Sequence, residues 1–287
     1  MRKLLIPILL LCALSFACSD KERYKLRNPE SVVWNPVTKT YLISNAGGNN
    51  ILSLKDKYEF FVFNKKPLGS PKGMAIADNT LYVADRNLLV GFDLKTGKRT
   101  YRLPIPDAVF LNDVAASNDG MVYVSDTEKN CIFLVNTETG KVETYRNKNM
   151  LKPNGLFFFY DEGNPSLAYV SFRDQAPLEI LNLRTKALKV IPGTYMSFAD
   201  GIARDREGSW LVSSWADSTV WKFSPDFTQR SRLEEKYDSP ADIFFNSLNN
   251  ELAIPSFNGK TVTFVAKVDT TGAQPASSQQ PAPASRK

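Results

Sequence analysis

The chain has 287 residues, 43% of them hydrophobic, a formal net charge of +6 and no histidine. The lack of histidine excludes Ser-His-Asp and Cys-His machinery and any His-ligated zinc or iron site. Arg2, Lys3, Arg286 and Lys287 stand at the two ends of the chain. The part between is therefore nearly neutral, and no basic run is interleaved with stacking aromatics, so nucleic acid is not an expected partner.

Met1-Arg2-Lys3 followed by LLIPILLLCALSFA is a basic start and an apolar core too short to span a bilayer comfortably. Residues 1–17 read as a secretory signal peptide. A small residue before cysteine closes this segment, as in a bacterial lipobox, although Ser15 stands where leucine is usual. Cys18 is then the expected lipidation site, residues 18–23 a tether, and the cell envelope, as an outer-membrane lipoprotein, the expected location. The alternative is ordinary cleavage nearby with Cys18 incidental.

Residues 24–269 carry an internal repeat. Leu111 to Arg146 reads as four short strands, with hairpin turns at Asn118-Asp119-Gly120 and Glu138-Thr139-Gly140, where glycine supplies the positive φ. The opening triplet recurs as Pro29-Glu30-Ser31, Pro71-Lys72-Gly73, Leu111-Asn112-Asp113, Pro153-Asn154-Gly155, Ala199-Asp200-Gly201 and Pro240-Ala241-Asp242. The second strand recurs as YLISN, LYVAD, VYVSD, AYVSF, WLVSS and ELAIP. Six units of roughly 40 residues predict an all-β fold, a six-bladed β-propeller of four-stranded antiparallel blades. The last unit shows three strands, so a strand near Tyr24–Arg27 is expected to complete it and close the ring. Residues 270–287, rich in Pro, Ser, Ala and Gln, read as a disordered tail. Cys131, flanked by apolar residues in NCIFLV, reads as a buried small hydrophobe rather than a nucleophile.

Each blade's first strand lines the central channel, so residues at its start converge at one mouth, the kind of concave place where small molecules bind. The middle residues of the six triplets are Glu30, Lys72, Asn112, Asn154, Asp200 and Ala241. Four of them offer a hard oxygen. Asp113 and Asp242 follow one residue later, where strand alternation turns side chains elsewhere. The plainer possibility is that Asn, Asp and Gly here only form turns and bond their own backbone.

Glu30-Ser31-Val32-Val33-Trp34, Leu111-Asn112-Asp113, Pro153-Asn154-Gly155-Leu156 and Ala199-Asp200-Gly201-Ile202 resemble, in order and approximate spacing, the blade motifs of the regucalcin, gluconolactonase and luciferin-regenerating-enzyme family. These are six-bladed propellers with a divalent metal on the axis. The resemblance implies that Glu30, Asn154 and Asp200 ligate one divalent cation and that Asn112 contacts bound substrate or water. An all-oxygen set suits Ca²⁺, with Mg²⁺, Mn²⁺ or Zn²⁺ as alternatives. The implied reaction is lactone hydrolysis with Asp200 as base. Ser31-Val32 stand where the family has Gly-Pro, and Phe110 stands where its sugar-lactone enzymes often have arginine. Phe110 suits a less polar lactone or ester. Lys72 either binds an anionic substrate group or is a solvated turn residue. The expected partners are thus a small lactone or ester, and the membrane through the lipid anchor alone, with the protein monomeric. A non-catalytic platform of the kind resembling NHL repeats, and a metal-bound propeller without turnover, remain alternatives, since fold does not fix function.

Overall fold

The computed structural model describes residues 25–56 and 59–266, with the backbone of 271–275. The expected signal peptide, Cys18 and its tether lie outside the described residues. Among the described residues no helix is long and apolar enough to cross a membrane.

The six repeats form six antiparallel sheets. In the first blade Pro29–Asn35, Thr40–Asn45, Asn50–Lys55 and Glu59–Val62 pair in chain order, and the pattern recurs around the ring. The innermost strands of the next four blades are Pro71–Ala77, Leu111–Ala116, Pro153–Asp161 and Ala199–Arg204. The sixth blade consists of Phe244–Asn246, Glu251–Ser256 and Thr261–Val265.

A sheet apolar on both faces must be covered on both, and the repeat achieves this by giving each interface between blades its own core. Leu42, Met74, Val83 and Phe92 fill the seam between blades one and two. Val170, Ile180, Trp210 and Phe223 fill that between blades four and five. Four further clusters complete the circle. Cys131 is fully buried within one of them, as expected from its apolar neighbours, and burial pushes its thiol up to about 11.

The ring closes differently from the expectation. Residues 25–27 form no strand on the sixth blade. They bond to the first blade's own turn, where the Gly47 N–H donates to the Arg27 carbonyl at 2.8 Å and the Arg27 N–H to Asn45 Oδ1. Tyr24 lies outside the described residues. Closure rests instead on packing, side-chain bonds and a backbone bond. Val32, Tyr41 and Ile43 of blade one pack with Ala253 of blade six. The Tyr41 hydroxyl donates to Glu251 Oε2 at 2.8 Å and accepts from Asn246 Nδ2 at 3.0 Å. The Asp242 N–H donates to the Glu30 carbonyl at 2.8 Å.

The tail expectation also needs correction. Thr271–Pro275 pairs antiparallel with the outer strand Gln229–Arg232, adding a fifth strand to blade five. An outermost strand needs only a backbone ladder, so it leaves no apolar alternation in the sequence.

Candidate functional site

The innermost strands of blades one to five share one irregularity. The antiparallel register shifts between Pro29 and Val32, between Pro71 and Met74, opposite Leu111 and Val114, between Pro153 and Leu156, and between Ala199 and Ile202. Such a bulge re-aims the side chain it carries, and the residues it carries are Glu30, Lys72, Asn112, Asn154 and Asp200. The glycines that follow them have a steric cause. A Cβ on Gly155 would meet the Asp200 carbonyl oxygen at 2.2 Å, and one on Gly73 would meet Asp113 Oδ1 at the same distance. Only glycine lets neighbouring innermost strands approach so closely here.

Asp113 and Asp242, one residue on, are used by the fold. Asp113 Oδ2 accepts the Leu156 N–H at 2.6 Å and Oδ1 its neighbour Val114's at 2.7 Å. Asp242 Oδ2 accepts the Ser31 hydroxyl.

The four oxygen-bearing residues are nearly inaccessible, with exposures of 3% for Glu30, 6% for Asn112, 2% for Asn154 and 4% for Asp200. One oxygen on each, Glu30 Oε2, Asn112 Oδ1, Asn154 Oδ1 and Asp200 Oδ1, is buried without a hydrogen-bond donor. The turn-former alternative therefore fails for these four atoms. The amide of Asn112 is oriented by its other end: Nδ2 donates to Thr127 Oγ1 at 3.1 Å, and that hydroxyl donates to the Pro153 carbonyl at 2.9 Å. This leaves the Asn112 oxygen as the unpartnered end.

Lys72 belongs to the same assembly. Its Nζ is 3.8 Å from Glu30 Oε1 and 4.6 Å from the Phe110 ring centroid. It is thus an axial cation rather than a solvated turn residue. Phe110 stays exposed at the mouth. Burial pushes the Glu30 carboxyl well above the usual range. Lys72 pulls it back, and the charges of Asp200 and Asp242 push it up further. Burial likewise raises Asp200, to about 6, against the lowering influence of Lys72, the Trp215 indole and the Asn154 amide. Asp113 and Asp242 are raised by the same desolvation.

The structure thus brings Glu30, Lys72, Asn154 and Asp200 into one electrostatic unit, with Asn112 tied beside Asn154 through Thr127 and Pro153. Among the described residues no three His, Cys, Asp or Glu side chains form a metal-type cluster. The set here is two carboxylates and two amides, a donor chemistry that fits a hard divalent cation. Beyond this layer, toward the other mouth, the channel widens into a cavity of about 390 Å³ with apolar walls such as Val32, Ile76, Leu156 and Phe245.

Sequence reasoning overlooked an arc of rings at the axial mouth. Phe172, Trp215 and Phe257 each follow the second strand of their blade, and Phe198 precedes the innermost strand of blade five. Ring centroids are 5.4 Å apart for Phe198 and Phe172, 5.2 Å for Phe172 and Trp215, and 5.5 Å for Trp215 and Phe257. Aligning the repeats one position past the second strand yields Ala46, Arg86, Thr127, Phe172, Trp215 and Phe257, and that column carried the signal.

No family model matches the chain, and no curated protein matches its sequence. Solved structures do match. A streptogramin B lyase aligns with TM-score 0.60 at 16% identity, over 78% of this chain and 75% of that one. Virginiamycin B lyase from Staphylococcus aureus, in a catalytically inactive form with quinupristin, aligns with TM-score 0.61 at 12% identity, over 86% and 83%. A chain of a nidogen/laminin complex aligns with TM-score 0.64 at 14% identity, over 80% and 92%. These likenesses establish the fold. The chain is a six-bladed β-propeller. At such identities they assign no activity to this chain.

Proposed function

We propose that the chain is an exported, lipid-anchored envelope protein whose axial site holds one divalent cation, Ca²⁺ by preference, and hydrolyses lactones or related esters. The observation that carries this reading is the presence of a donorless buried oxygen at the equivalent place in each of four blades. Leaving a buried acceptor unpaired costs about 1–3 kcal/mol, and four at equivalent places of neighbouring blades call for an electron-poor occupant. Two of the four belong to carboxylates, which favours a cation over water alone. Lys72 approaches Glu30 Oε1 and leaves Oε2 without a partner.

Glu30, Asn154 and Asp200 would hold the cation, with Asn112 beside it. Bound there, a divalent cation supplies polarisation of a carbonyl and charge for a developing oxyanion. The remaining work falls to the chain. Asp200 keeps Oδ1 unpartnered; a bound cation would lower its basicity, so it would take a proton from an attacking water on loosening from the cation. The Trp215 indole and Asn154 amide favour its anion. Lys72, held between Glu30 and Phe110, presents a cation to the carboxylate released on ring opening. Phe110 keeps water from that side of the mouth.

The test is thermal. Ca²⁺ should raise the melting temperature by mass action, and Glu30→Gln or Asp200→Asn should abolish the rise. A rise that survives both substitutions overturns the ligand set. Turnover of a lactone panel that vanishes in folded Asp200→Asn supports the hydrolase. The lyase likeness does not extend to chemistry: the inactive form of that enzyme is a histidine-to-alanine variant, and this chain has no histidine.

A second reading, a non-catalytic NHL-like binding platform for a protein, peptide or glycan, draws on the exposed Val109, Phe110, Leu151 and Phe198 on the loops of this same mouth. It wins if a metal-dependent thermal shift is found without turnover of any lactone or ester and a partner is captured at this face.

A further inference from the structure

Phe198 is the most strained of the mouth residues. Its φ of +52° lies in the left-handed region, which is unfavourable for a bulky side chain. The equivalent residue, two before the middle of the opening triplet, is also left-handed in blades one, four and six. There it is Asn28, Lys152 and Ser239, at φ of +54°, +53° and +57°. Blade five alone places an aromatic ring in this conformation. The backbone is held there from both sides: the Phe198 N–H donates to the Arg173 carbonyl at 2.9 Å, and its carbonyl accepts the Trp215 N–H at 3.0 Å. Yet the ring remains 41% exposed, so the strain is not offset by burial in a core.

Its neighbours are equally dispensable to the fold. Phe172, Trp215 and Phe257 occupy a position that blades one to three fill with Ala46, Arg86 and Thr127, so a blade closes without a ring there. The four rings nonetheless form a continuous arc around half the mouth, edge to face at Phe198–Phe172 and Phe172–Trp215 and tilted at Trp215–Phe257. The arc is joined to the axial oxygens through the chain itself: Phe198 stands two residues before Asp200, the Trp215 backbone N–H donates to the Phe198 carbonyl at 3.0 Å, and the buried Trp215 Nε1 has no hydrogen-bond acceptor. A molecule seated on both would have a carbonyl or carboxylate end at the axis and a flat apolar end against the rings.

We propose that Phe198, Phe172, Trp215 and Phe257 form a subsite for a planar aromatic group, so that the ligand of the axial site is an aryl-bearing lactone or ester rather than a sugar lactone. The proposal rests on the axial site as read above and adds the class of ligand. Edge-to-face ring contacts are geometry-dependent and add to plain apolar burial, which sets the expected size of the effect.

The experiment uses the full chain with Ca²⁺ and two lactams that cannot be hydrolysed as the lactones are: dihydroquinolinone, and δ-valerolactam, which lacks the fused benzene ring. Calorimetry should give a dissociation constant about tenfold lower for the bicyclic compound. Phe198→Ala and Phe172→Ala should bring the ratio close to one while leaving the calcium-induced thermal shift unchanged. Phe198→Asn should lose the ring preference yet raise the melting temperature, because asparagine tolerates the left-handed backbone. Phe61→Ala, on the outer strand of blade one, should change nothing. Equal affinities for the two lactams, or a preference untouched by Phe198→Ala and Phe172→Ala, overturns the subsite even if lactones are hydrolysed. A ring preference that depends on Phe198 in a protein that hydrolyses nothing upholds the subsite and removes the hydrolase instead.

Discussion

Replacing Asp200 by asparagine should make the metal-free protein more stable, although it removes a central residue. Asp200 is fully enclosed and its pKa is raised from 3.8 to about 6, chiefly by desolvation. A shift of roughly two pH units corresponds to about 3 kcal/mol of preference for the neutral carboxyl in the folded state. The sign follows from linkage. Because the folded pKa is the higher one, the folded state binds more protons than the unfolded chain between about pH 4 and pH 6. The contribution is fully present below the unfolded value and is lost as pH rises through the folded one. At pH 8 in a chelator, wild type carries the whole penalty of an ionised Asp200, and the asparagine variant carries none of it. The variant should therefore melt higher, by roughly 2–4 °C per kcal/mol for a domain of this size, or about 6–12 °C in total. At pH 4 the two should coincide. With Ca²⁺ at a hundredfold excess over its dissociation constant, wild type should gain about 2.7 kcal/mol by mass action and the variant nothing, so the order narrows or reverses. Scanning calorimetry at pH 4 and pH 8, with chelator and with Ca²⁺, reads all four conditions. A variant that melts below wild type in chelator at pH 8 would refute the electrostatic reasoning.

Three further outcomes test the frame around the site. Gly155→Ala places a methyl group 2.2 Å from the Asp200 carbonyl oxygen, which should cost about 1–3 kcal/mol in urea denaturation and weaken Ca²⁺ binding by moving Asp200; an unchanged urea midpoint contradicts the crowding argument. Tyr41→Phe removes the hydroxyl that ties blade one to Glu251 and Asn246 of blade six, for a loss of about 1–3 kcal/mol; a change below a few tenths of a kcal/mol would show that the seam does not depend on this hydroxyl. Deleting residues 271–287 should leave the propeller cooperative while speeding amide exchange at Gln229–Arg232, which loses its ladder partner; unaltered exchange there argues against the fifth strand.

The architecture was legible because the repeat is written in every strand and turn, and because one kind of interface, repeated, needs one kind of side chain. The axial oxygens were legible from the triplet alignment, and each predicted oxygen-bearing residue carries an unpartnered atom. Four features escaped. The closing contacts of Tyr41, Asn246 and Glu251 join positions about 200 residues apart that no local pattern connects. The strand at Thr271–Pro275 pairs with Gln229–Arg232 through a backbone ladder and leaves no mark in the apolar alternation of the sequence. The ring arc was missed because aromatics after a strand are ordinary in any single blade. Only the comparison with Ala46, Arg86 and Thr127 makes Phe172, Trp215 and Phe257 unusual. The bulge at the first five triplets was equally invisible, since register is a property of two strands together.

The seam between the first and last blades has no shared strand to lock it among the described residues, and it can form only once the whole chain is present. Glu30 lies on one lip of that seam, while Asp200 stands one blade back from the other, on the far side of Asp242. Any ligand gripped by both carboxylates therefore works as a clasp across this joint of the ring. Resistance to proteolytic nicking at the sixth blade should then rise and fall with occupancy of the axis, even though the cleaved loops never touch the ligand.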